Sequence, residues 1–352
     1  MDTLSHGFAG SVLSRAVSDR PEARAVFWVG AIAAMVPDLD FLFFTSRLDY
    51  LRDHRSWTHS FLVLPFLALL VALAARAFFR RVRLATLWLF SAVGIASHIL
   101  LDWITSFGTM FWTPVSRTRY SLDWVFILDP IFSAILLLAL AGALFFRPRA
   151  RRITAAGSLL LLLYIGTCGA LHARALEHWR RIDPAPLGSR AAAMPQFLSP
   201  FRWLALTDRG DAIDVAFFDI GPFARGVDDP QPPTRWSEVL RSLSDFYPPP
   251  ERARIRRFEK PPPSAALAAA HALPDWKVYL AFARFPLETV ESEPDGGASV
   301  IVQDLRFLPW FAGPWERDTD AGGFRRQPFV YRVRFDAALR VVERGFVRTG
   351  RR

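Results

Sequence analysis

The chain has 352 residues, of which 52% are hydrophobic, and a formal net charge of +10 at pH 7. Its arginines cluster between apolar runs and scatter through the C-terminal half, so they argue against a nucleic-acid-binding stripe, and we expect no nucleic-acid partner. Cys168 is the only cysteine, which excludes a disulfide framework and a cysteine-based metal site. The apolar residues are concentrated up to about Leu171, and a proline- and arginine-rich remainder follows.

The N-terminal segment is predicted to form a short helix that packs against other helices. Leu4 and Phe8 interleave with Gly7 and Gly10, a pattern of small and large apolar residues that suits close helix contact. His6 lies on the first turn of this helix. Because a basic n-region and a small-residue cleavage site are missing here, we do not expect a cleaved signal peptide.

Five apolar runs follow, each close to the roughly 20 residues that span a bilayer: Val26 to Phe44, Phe61 to Phe79, Leu84 to Leu101, Leu122 to Phe146 and Ile153 to Leu171. The first run is interrupted by Pro37-Asp38-Leu39-Asp40. Since Pro37 disfavours helical geometry in the residue before it, we predict a break there, with Asp38 and Asp40 in extended chain pointing to the same side. Irregular backbone at membrane depth is tolerated where it lines a polar cavity.

Two arginine-rich loops set the predicted orientation. They lie between the second and third runs and between the fourth and fifth runs, and contain Arg76, Arg80, Arg81, Arg83, Arg147, Arg149, Arg151 and Arg152. The positive-inside rule places both loops in the cytoplasm. The segments that carry His6, Asp38, Asp40, His59 and His98 then fall on the outer face, as does the C-terminal domain.

After Leu171 the pattern changes to short strands separated by proline-rich stretches. We predict a juxtamembrane helix over His172 to Ala193 and a second helix over Trp236 to Phe246. The predicted strands are Phe201 to Leu206 and Ala212 to Ile220, which form a hairpin, and Trp276 to Phe285, Ser299 to Phe307, Val330 to Phe335 and Val341 to Val347. The predicted fold class is a membrane α-helical bundle of five or six transmembrane or membrane-embedded helices, residues 1–172, followed by an extramembrane mostly-β (α+β) domain, residues 173–352.

An imidazole and a carboxylate lie four residues apart near the end of the third run, at His98 and Asp102. On a helix they occupy one face, one turn apart, where they can share a metal ion. Ionisable side chains at the edge of a membrane span are costly unless they pair or ligate, so they indicate a functional site. The metal-ligand candidates are His6, Asp38, Asp40, His59, His98 and Asp102, with His54 and Asp2 behind them.

Each candidate also has a structural explanation. A single histidine at a helix end, such as His98, is often a hydrogen-bonded residue without chemistry. Ser56 or Thr58 can cap the helix that begins near Phe61, and Asp2 can complement the dipole of the first helix. The coincidence of the whole set on one predicted membrane face favours a metal site. Histidine and carboxylate ligands without cysteine suit a divalent metal such as zinc, manganese or iron.

Four spaced motifs carry a family resemblance: Met1 to His6, Pro37 to Asp40, His54 to Ser60 and His98 to Asp102. Together with Ser121-Leu122-Asp123-Trp124 and Leu128-Asp129-Pro130, they resemble the YdjM-like, inner-membrane-associated metal-dependent hydrolases over about the first 170 residues. The resemblance implies a multi-pass protein of the bacterial inner membrane. The site pattern is similar to that of zinc-dependent phospholipases C and P1-type nucleases, which implies phosphoester hydrolysis by analogy.

The leading hypothesis is therefore a membrane-bound hydrolase of a phosphoester or lipid-related ester. His98, Asp102 and His59 would hold one metal, and Asp38, Asp40 and His6 a second, with His54 as orienting residue or general acid. The alternative is a metal-stabilised membrane scaffold or sensor whose outer domain binds a partner that the sequence does not specify. A transporter is a third hypothesis, but inverted repeats are not evident. The bilayer itself is the expected lipid partner.

Overall fold

The computed structural model describes residues 1–18, 23–222, 246–308 and 328–347. It contains two compact units. One unit comprises Met1–His172 with Phe197–Pro200, and the other comprises Ala173–Gln196 with Phe201–Arg352. The α-helices of the N-terminal region are α1 (Thr3–Val17), α2 (Ala23–Met35), α3 (Arg47–Asp53), α4 (Leu64–Phe78), α5 (Leu84–Trp103), α6 (Pro130–Phe145) and α7 (Ala150–Ile182).

The predicted count of five or six membrane helices is not confirmed. By length and composition, three helical stretches of the described chain can cross a membrane: Arg24–Phe43, Leu84–Trp103 and Arg147–Ile182. A fourth is obtained if Arg47–His59 and Leu64–Phe78, which meet at a bend of 78°, form one broken span. Helix α6 is apolar but shorter than these, because its first turn begins only at Pro130.

The stretch around Pro37 differs from its predicted conformation. Helix α2 ends at Met35, as the proline requires, but Val36–Phe43 continue as a 3₁₀ helix and not as extended chain. Pro37 stands in the first turn of this segment, where its missing N–H removes no hydrogen bond. Since three residues complete one turn, Asp38 and Asp40 differ in direction by about a third of a turn. They are both buried and reach different partners.

Three glycines bring α1, α2 and α5 into backbone contact. A Cβ atom built on Gly10 would lie 2.3 Å from the carbonyl oxygen of Gly30, and one built on Gly94 would lie 2.6 Å from the same oxygen. No other residue type fits at these distances. The contact lies about one turn from His6 on α1 and from His98 on α5, so the close packing brings these two side chains together.

The described residues of the second unit form two four-stranded sheets. The strands are β1 (Arg190–Gln196), β2 (Ser199–Asp208), β3 (Ala212–Asp219), β4 (Arg256–Glu259), β5 (Pro286–Ser292), β6 (Ala298–Asp304), β7 (Tyr331–Phe335) and β8 (Val341–Phe346). Their orders are β1-β2-β3-β4 and β5-β6-β7-β8. The predicted β2–β3 hairpin is confirmed, with Ala205 opposite Ala216 in an antiparallel pair.

One apolar cluster joins residues of both sheets. It includes Leu204, Val215 and Phe217 from the first sheet and Leu287 from the second, all 3% exposed or less. Burial of a large apolar side chain contributes about 1.5–3 kcal/mol, so this cluster stabilises the unit. Two short helices, α8 (Ala265–Ala272) and α9 (Pro274–Phe282), precede the second sheet.

The predicted strand Trp276 to Phe285 is wrong, because these residues belong mainly to α9. The aromatic composition favours a strand, but Trp276, Tyr279 and Phe282 recur every three residues and are all buried. That spacing places them on one face of a helix. The predicted juxtamembrane helix His172 to Ala193 is helical only up to Ile182, where α7 ends, and its last residues belong to strand β1 instead. The predicted helix Trp236 to Phe246 lies almost entirely outside the described residues.

Candidate metal centre

Four side chains from three segments converge in the first unit. Helix α5 contributes His98 and Asp102, the 3₁₀ helix Val36–Phe43 contributes Asp38, and a short 3₁₀ segment, Trp57–His59, contributes His59. Each offers one ligand atom, and these four atoms lie within 4.8 Å of one another. All four residues are buried, with His59, His98 and Asp102 at 0% exposure. The group could hold a metal ion.

Hydrogen bonds on the far sides of the rings fix the tautomers of both histidines. His98 Nδ1 lies 2.6 Å from the carbonyl oxygen of Ala34, so it carries the proton and donates. His59 Nδ1 lies 2.9 Å from Thr58 Oγ1, and that hydroxyl donates to Asp40 Oδ2 at 3.3 Å. Since the hydroxyl proton is used there, His59 Nδ1 is also a donor. Both Nε2 atoms therefore turn lone pairs towards the centre.

The converging atoms are electron-pair donors that lack a proton to share. His59 Nε2 and His98 Nε2 lie 2.9 Å apart, and Asp102 Oδ2 lies 3.2 and 3.3 Å from them. Asp38 Oδ1 is 3.5 Å from His98 Nε2 and 3.8 Å from His59 Nε2. Asp102 Oδ2 is buried without a hydrogen-bond donor. Lone pairs at these distances repel one another unless a cation lies among them, so the donor set fits a divalent metal.

Neighbouring polar groups hold the two carboxylates in position. Thr3 Oγ1 donates to Asp38 Oδ2 at 2.7 Å, which leaves Oδ1 directed to the histidines. Asp102 Oδ1 accepts from Arg55 Nη2 at 2.8 Å and lies 3.2 Å from His6 Nε2. The amino group of Met1 also contacts Oδ1. Such contacts behind metal ligands fix the ligand orientation.

His6 and Asp40, two of the six predicted ligands, lie beside the four-residue group and not within it. The His6 ring stacks on His98 with centroids 3.7 Å apart. Because a carboxylate only accepts, His6 Nε2 carries a proton and donates to Asp102 Oδ1 at 3.2 Å. Asp40 accepts from His54 Nδ1 at 2.9 Å and is 3.9 Å from His59 Nδ1.

His54 lies next to the centre through this hydrogen bond with Asp40. Its ring is 7% exposed and stacks on Tyr50 at a centroid distance of 4.4 Å. Because a carboxylate only accepts, His54 Nδ1 carries a proton and Nε2 is the nitrogen left for proton transfer. Asp2 caps α1 by accepting from the backbone N–H of Ser5 at 3.0 Å, which agrees with its structural explanation.

Sequence reasoning missed three residues that organise the centre: Arg55, Thr3 and Thr58 as a hydrogen-bond bridge. Arg55 is not among the predicted site residues, but it is 2% exposed and its guanidinium contacts Asp102. Its position between His54 and the Ser56-Trp57-Thr58-His59 stretch was the available signal. A charged residue that lies between site residues in one short motif is expected to lie close to the site as well.

Comparison with protein families gives a match to the helical N-terminal part of the chain. Residues 1–175 match the sequence model of a family described as YdjM inner membrane protein. The inner membrane protein YbcI of Escherichia coli (strain K12) is 36% identical over 104 residues, which are 28% of this chain and 59% of YbcI. YfhP of Bacillus subtilis (strain 168), described as an uncharacterized protein, is 26% identical over 138 residues, which are 37% of this chain and 42% of YfhP.

The chain covers less than two thirds of the length of either relative. No solved structure matches it. The matched region contains all four residues of the centre and ends within α7, before the first strand of the second unit. The resemblance to the YdjM family that was inferred from the four motifs is thus confirmed for this region. The N-terminal half of the chain, residues 1–175, belongs to the YdjM inner membrane protein family.

Proposed function

We propose that the protein is a metal-dependent hydrolase embedded in the bacterial inner membrane, with a phosphoester or lipid-related ester as substrate. The observation that carries this proposal is the combination of four buried ligand atoms within 4.8 Å and a hydrogen-bonded His54–Asp40 pair directly beside them. A metal that only ties helices together needs ligands but no neighbouring group for proton transfer. The family of inner membrane proteins to which residues 1–175 belong supports the location.

The proposed ligands are Asp38, His59, His98 and Asp102, and the proposed metal is zinc, with manganese or iron as alternatives. A divalent ion held there would act as a Lewis acid and lower the pKa of a bound water. Asp40 holds His54 with Nδ1 protonated, so that Nε2 can take a proton from the attacking water or return one to the leaving group. Thr58 hydrogen-bonds to both Asp40 and His59. It therefore fixes the orientation of the His59 ring relative to the His54–Asp40 pair.

The exposed side of the 3₁₀ helix Val36–Phe43, which also bears the two carboxylates, supports a substrate that comes from the membrane. Asp38 and Asp40 are buried, whereas Phe41 and Phe43 are 54% and 83% exposed. Exposed apolar side chains beside a polar centre suit a molecule with acyl chains and a polar head. Trp57, which is 52% exposed two residues before His59, extends this apolar border.

The test is metal analysis of the purified protein combined with a panel of phosphodiester and phospholipid substrates. The wild-type protein should contain a divalent metal and hydrolyse at least one member of the panel. His98→Ala should lose metal and activity together, because it removes a ligand. His271→Ala is the matched control, since His271 lies in the second unit and contacts Glu288. Hydrolysis that persists in metal-free His98→Ala would refute the proposal.

A second candidate function, a non-catalytic scaffold or sensor, is favoured by one specific observation. Four fully protein-derived ligands can close a tetrahedral shell, as in structural zinc sites. The two functions differ in whether an exchangeable water binds the metal. Pulsed EPR of the Mn(II)-loaded protein in D₂O distinguishes them, because a bound water gives a deuterium coupling and a closed shell does not. Absence of that coupling, together with an inactive substrate panel, would favour the scaffold.

We also propose that residues 173–352 form an extramembrane domain on the outer side of the membrane. The support is the cluster of arginines between α4 and α5 and between α6 and α7. A reporter fused after Arg352 should report the outer compartment, and one inserted at Arg81 should report the cytoplasm. The opposite pattern would invert the topology and place the metal centre on the inner face.

A further inference from the structure

The two oxygens of Asp102 have different surroundings. Oδ2 faces the imidazoles of His59 and His98 at 3.2 and 3.3 Å and accepts no hydrogen bond. Oδ1 points the other way, where it meets Arg55 Nη2 at 2.8 Å, His6 Nε2 at 3.2 Å and the amino group of Met1. Oδ2 is therefore available to a cation, whereas Oδ1 already accepts hydrogen bonds from neighbouring donors.

Arg55 is held firmly in this position. Its Nη1 donates to Thr105 Oγ1 at 3.0 Å and to the carbonyl oxygen of Asp102 at 3.4 Å. Its guanidinium lies over the Phe107 ring at 4.9 Å from the centroid. The backbone of Arg55 is left-handed, with φ of 63°, a conformation that residues other than glycine rarely adopt. The surrounding contacts select it over a more relaxed backbone.

The position of the guanidinium bears on how many ions the centre can take. A second ion would need Asp102 Oδ1 as a bridging ligand, with His6 as the neighbouring nitrogen donor. That oxygen is 2.8 Å from Arg55 Nη2, so a second divalent ion there would lie against a buried positive charge. The carboxylates of Asp38, Asp40 and Asp102 are balanced by the Arg55 guanidinium and one divalent ion, and the Met1 amino group, when protonated, adds positive charge at Oδ1. A second ion would leave excess positive charge in a buried site.

We propose that Arg55 takes the place of a second cation and makes this a mononuclear centre, in which Asp102 binds through Oδ2 alone. This inference rests on the proposed metal site and specifies its stoichiometry. It excludes the arrangement in which Asp40 and His6 complete a second ion. Arg55 is a positioning residue here, since it acts through Asp102.

The test is metal stoichiometry of the full chain in nanodiscs, with Co(II) EPR as a second readout. The wild-type protein should bind one ion per chain and give the spectrum of an isolated high-spin Co(II). Arg55→Lys keeps the charge and should stay at one ion. Arg55→Met removes the guanidinium charge at similar volume and leaves Oδ1 with His6 and the Met1 amino group. The stoichiometry should then rise above one when excess metal is supplied at a pH that deprotonates this amino group.

Arg119→Met is the matched control. The Arg119 guanidinium lies 5.9 Å from the Phe107 centroid and donates to the backbone carbonyl oxygens of His54, Gly108 and Leu51. Arg119→Met should loosen the loop that contains Arg55 without changing the number of metal ions bound per chain. Two ions per wild-type chain, or a spin-coupled Co(II) pair, would overturn the inference even if Arg55→Met fails to fold. A folded Arg55→Met protein that still binds one ion would also overturn it. If the wild-type protein hydrolyses its substrate with two ions, the proposed function stands and only this inference fails.

Discussion

His59 and His98 present their Nε2 atoms to each other at 2.9 Å, while each ring donates its Nδ1–H on the opposite side. Neither nitrogen of the facing pair has a proton for the other, so a cation is the partner that both can share. The two acceptors behind the rings, the Ala34 carbonyl oxygen and the Thr58 hydroxyl oxygen, therefore determine the chemistry of the centre as much as the ligands do.

The two aspartates of the 3₁₀ helix are expected to differ in their effect on metal binding. Asp38→Asn changes a ligand and should weaken metal affinity by more than about 100-fold, whereas Asp40→Asn changes a residue behind the ligands and should cost about tenfold. Isothermal titration of the metal-free variants measures both. Equal losses would mean that Asp40 also binds the metal, and full affinity in both variants would make the two carboxylates structural.

His54→Gln should separate metal holding from catalysis. A residue that transfers a proton contributes about 10²–10⁴-fold to rate, so this variant should keep near-normal metal content and hydrolyse far more slowly. Tyr50→Phe is a suitable control, because it preserves the ring that stacks on His54 at 4.4 Å. If His54→Gln releases the metal instead, then His54 is a ligand and another group must transfer the proton.

Gly94→Ala tests the close contact that brings α5 against α2. The added Cβ would lie 2.6 Å from the Gly30 carbonyl oxygen and 3.0 Å from Ala34 N. We expect a loss of about 1–3 kcal/mol in the free energy of unfolding, and weaker metal binding because His98 is one turn away. Gly166→Ala on α7 is the control, since no atom of the described residues outside its own stretch of helix lies within 4 Å of the added Cβ. Thermal unfolding measures both, and similar melting temperatures would argue against the contact.

The ion pairs of Asp214 predict that the stability of the second unit depends on pH. The Arg257 guanidinium, 2.8 Å from both carboxylate oxygens, lowers the pKa of Asp214 below its usual value, and Arg209 adds to this. Because the folded-state pKa is the lower one, the stabilisation is complete above the unfolded-state pKa of about 3.9 and is lost as the pH falls below it. Asp214→Asn should lower the melting temperature at pH 7 and flatten its decline between about pH 5 and 2.

Thermal scans that follow the β-sheet circular dichroism signal test this expectation. Arg257→Met should flatten the same decline, because it removes the first cause of the shift. An Asp214→Asn protein whose acid transition matches that of the wild type would show that other carboxylates control the acid stability of the unit.

Much of the centre was predictable because its ligands follow local rules. His98 and Asp102 share a helix face through their spacing of four, and Pro37 marks the end of α2 through its own geometry. The β2–β3 hairpin was predictable for the same reason, since alternating apolar runs around Asp208-Arg209-Gly210-Asp211 encode both strands and turn. Each of these features depends on residues that are close in sequence.

The tertiary structure alone decided which candidates meet. Asp38 and Asp40 are two residues apart and chemically identical, yet a 3₁₀ turn directs one to the histidines and the other to His54. Arg55 looks like any loop arginine until Asp102, 47 residues away along the chain, lies against its guanidinium. The sequence determined the ligand types and their helices by local geometry. Packing at Gly10, Gly30 and Gly94 determined the partners, because contacts between distant segments depend on how closely whole helices approach.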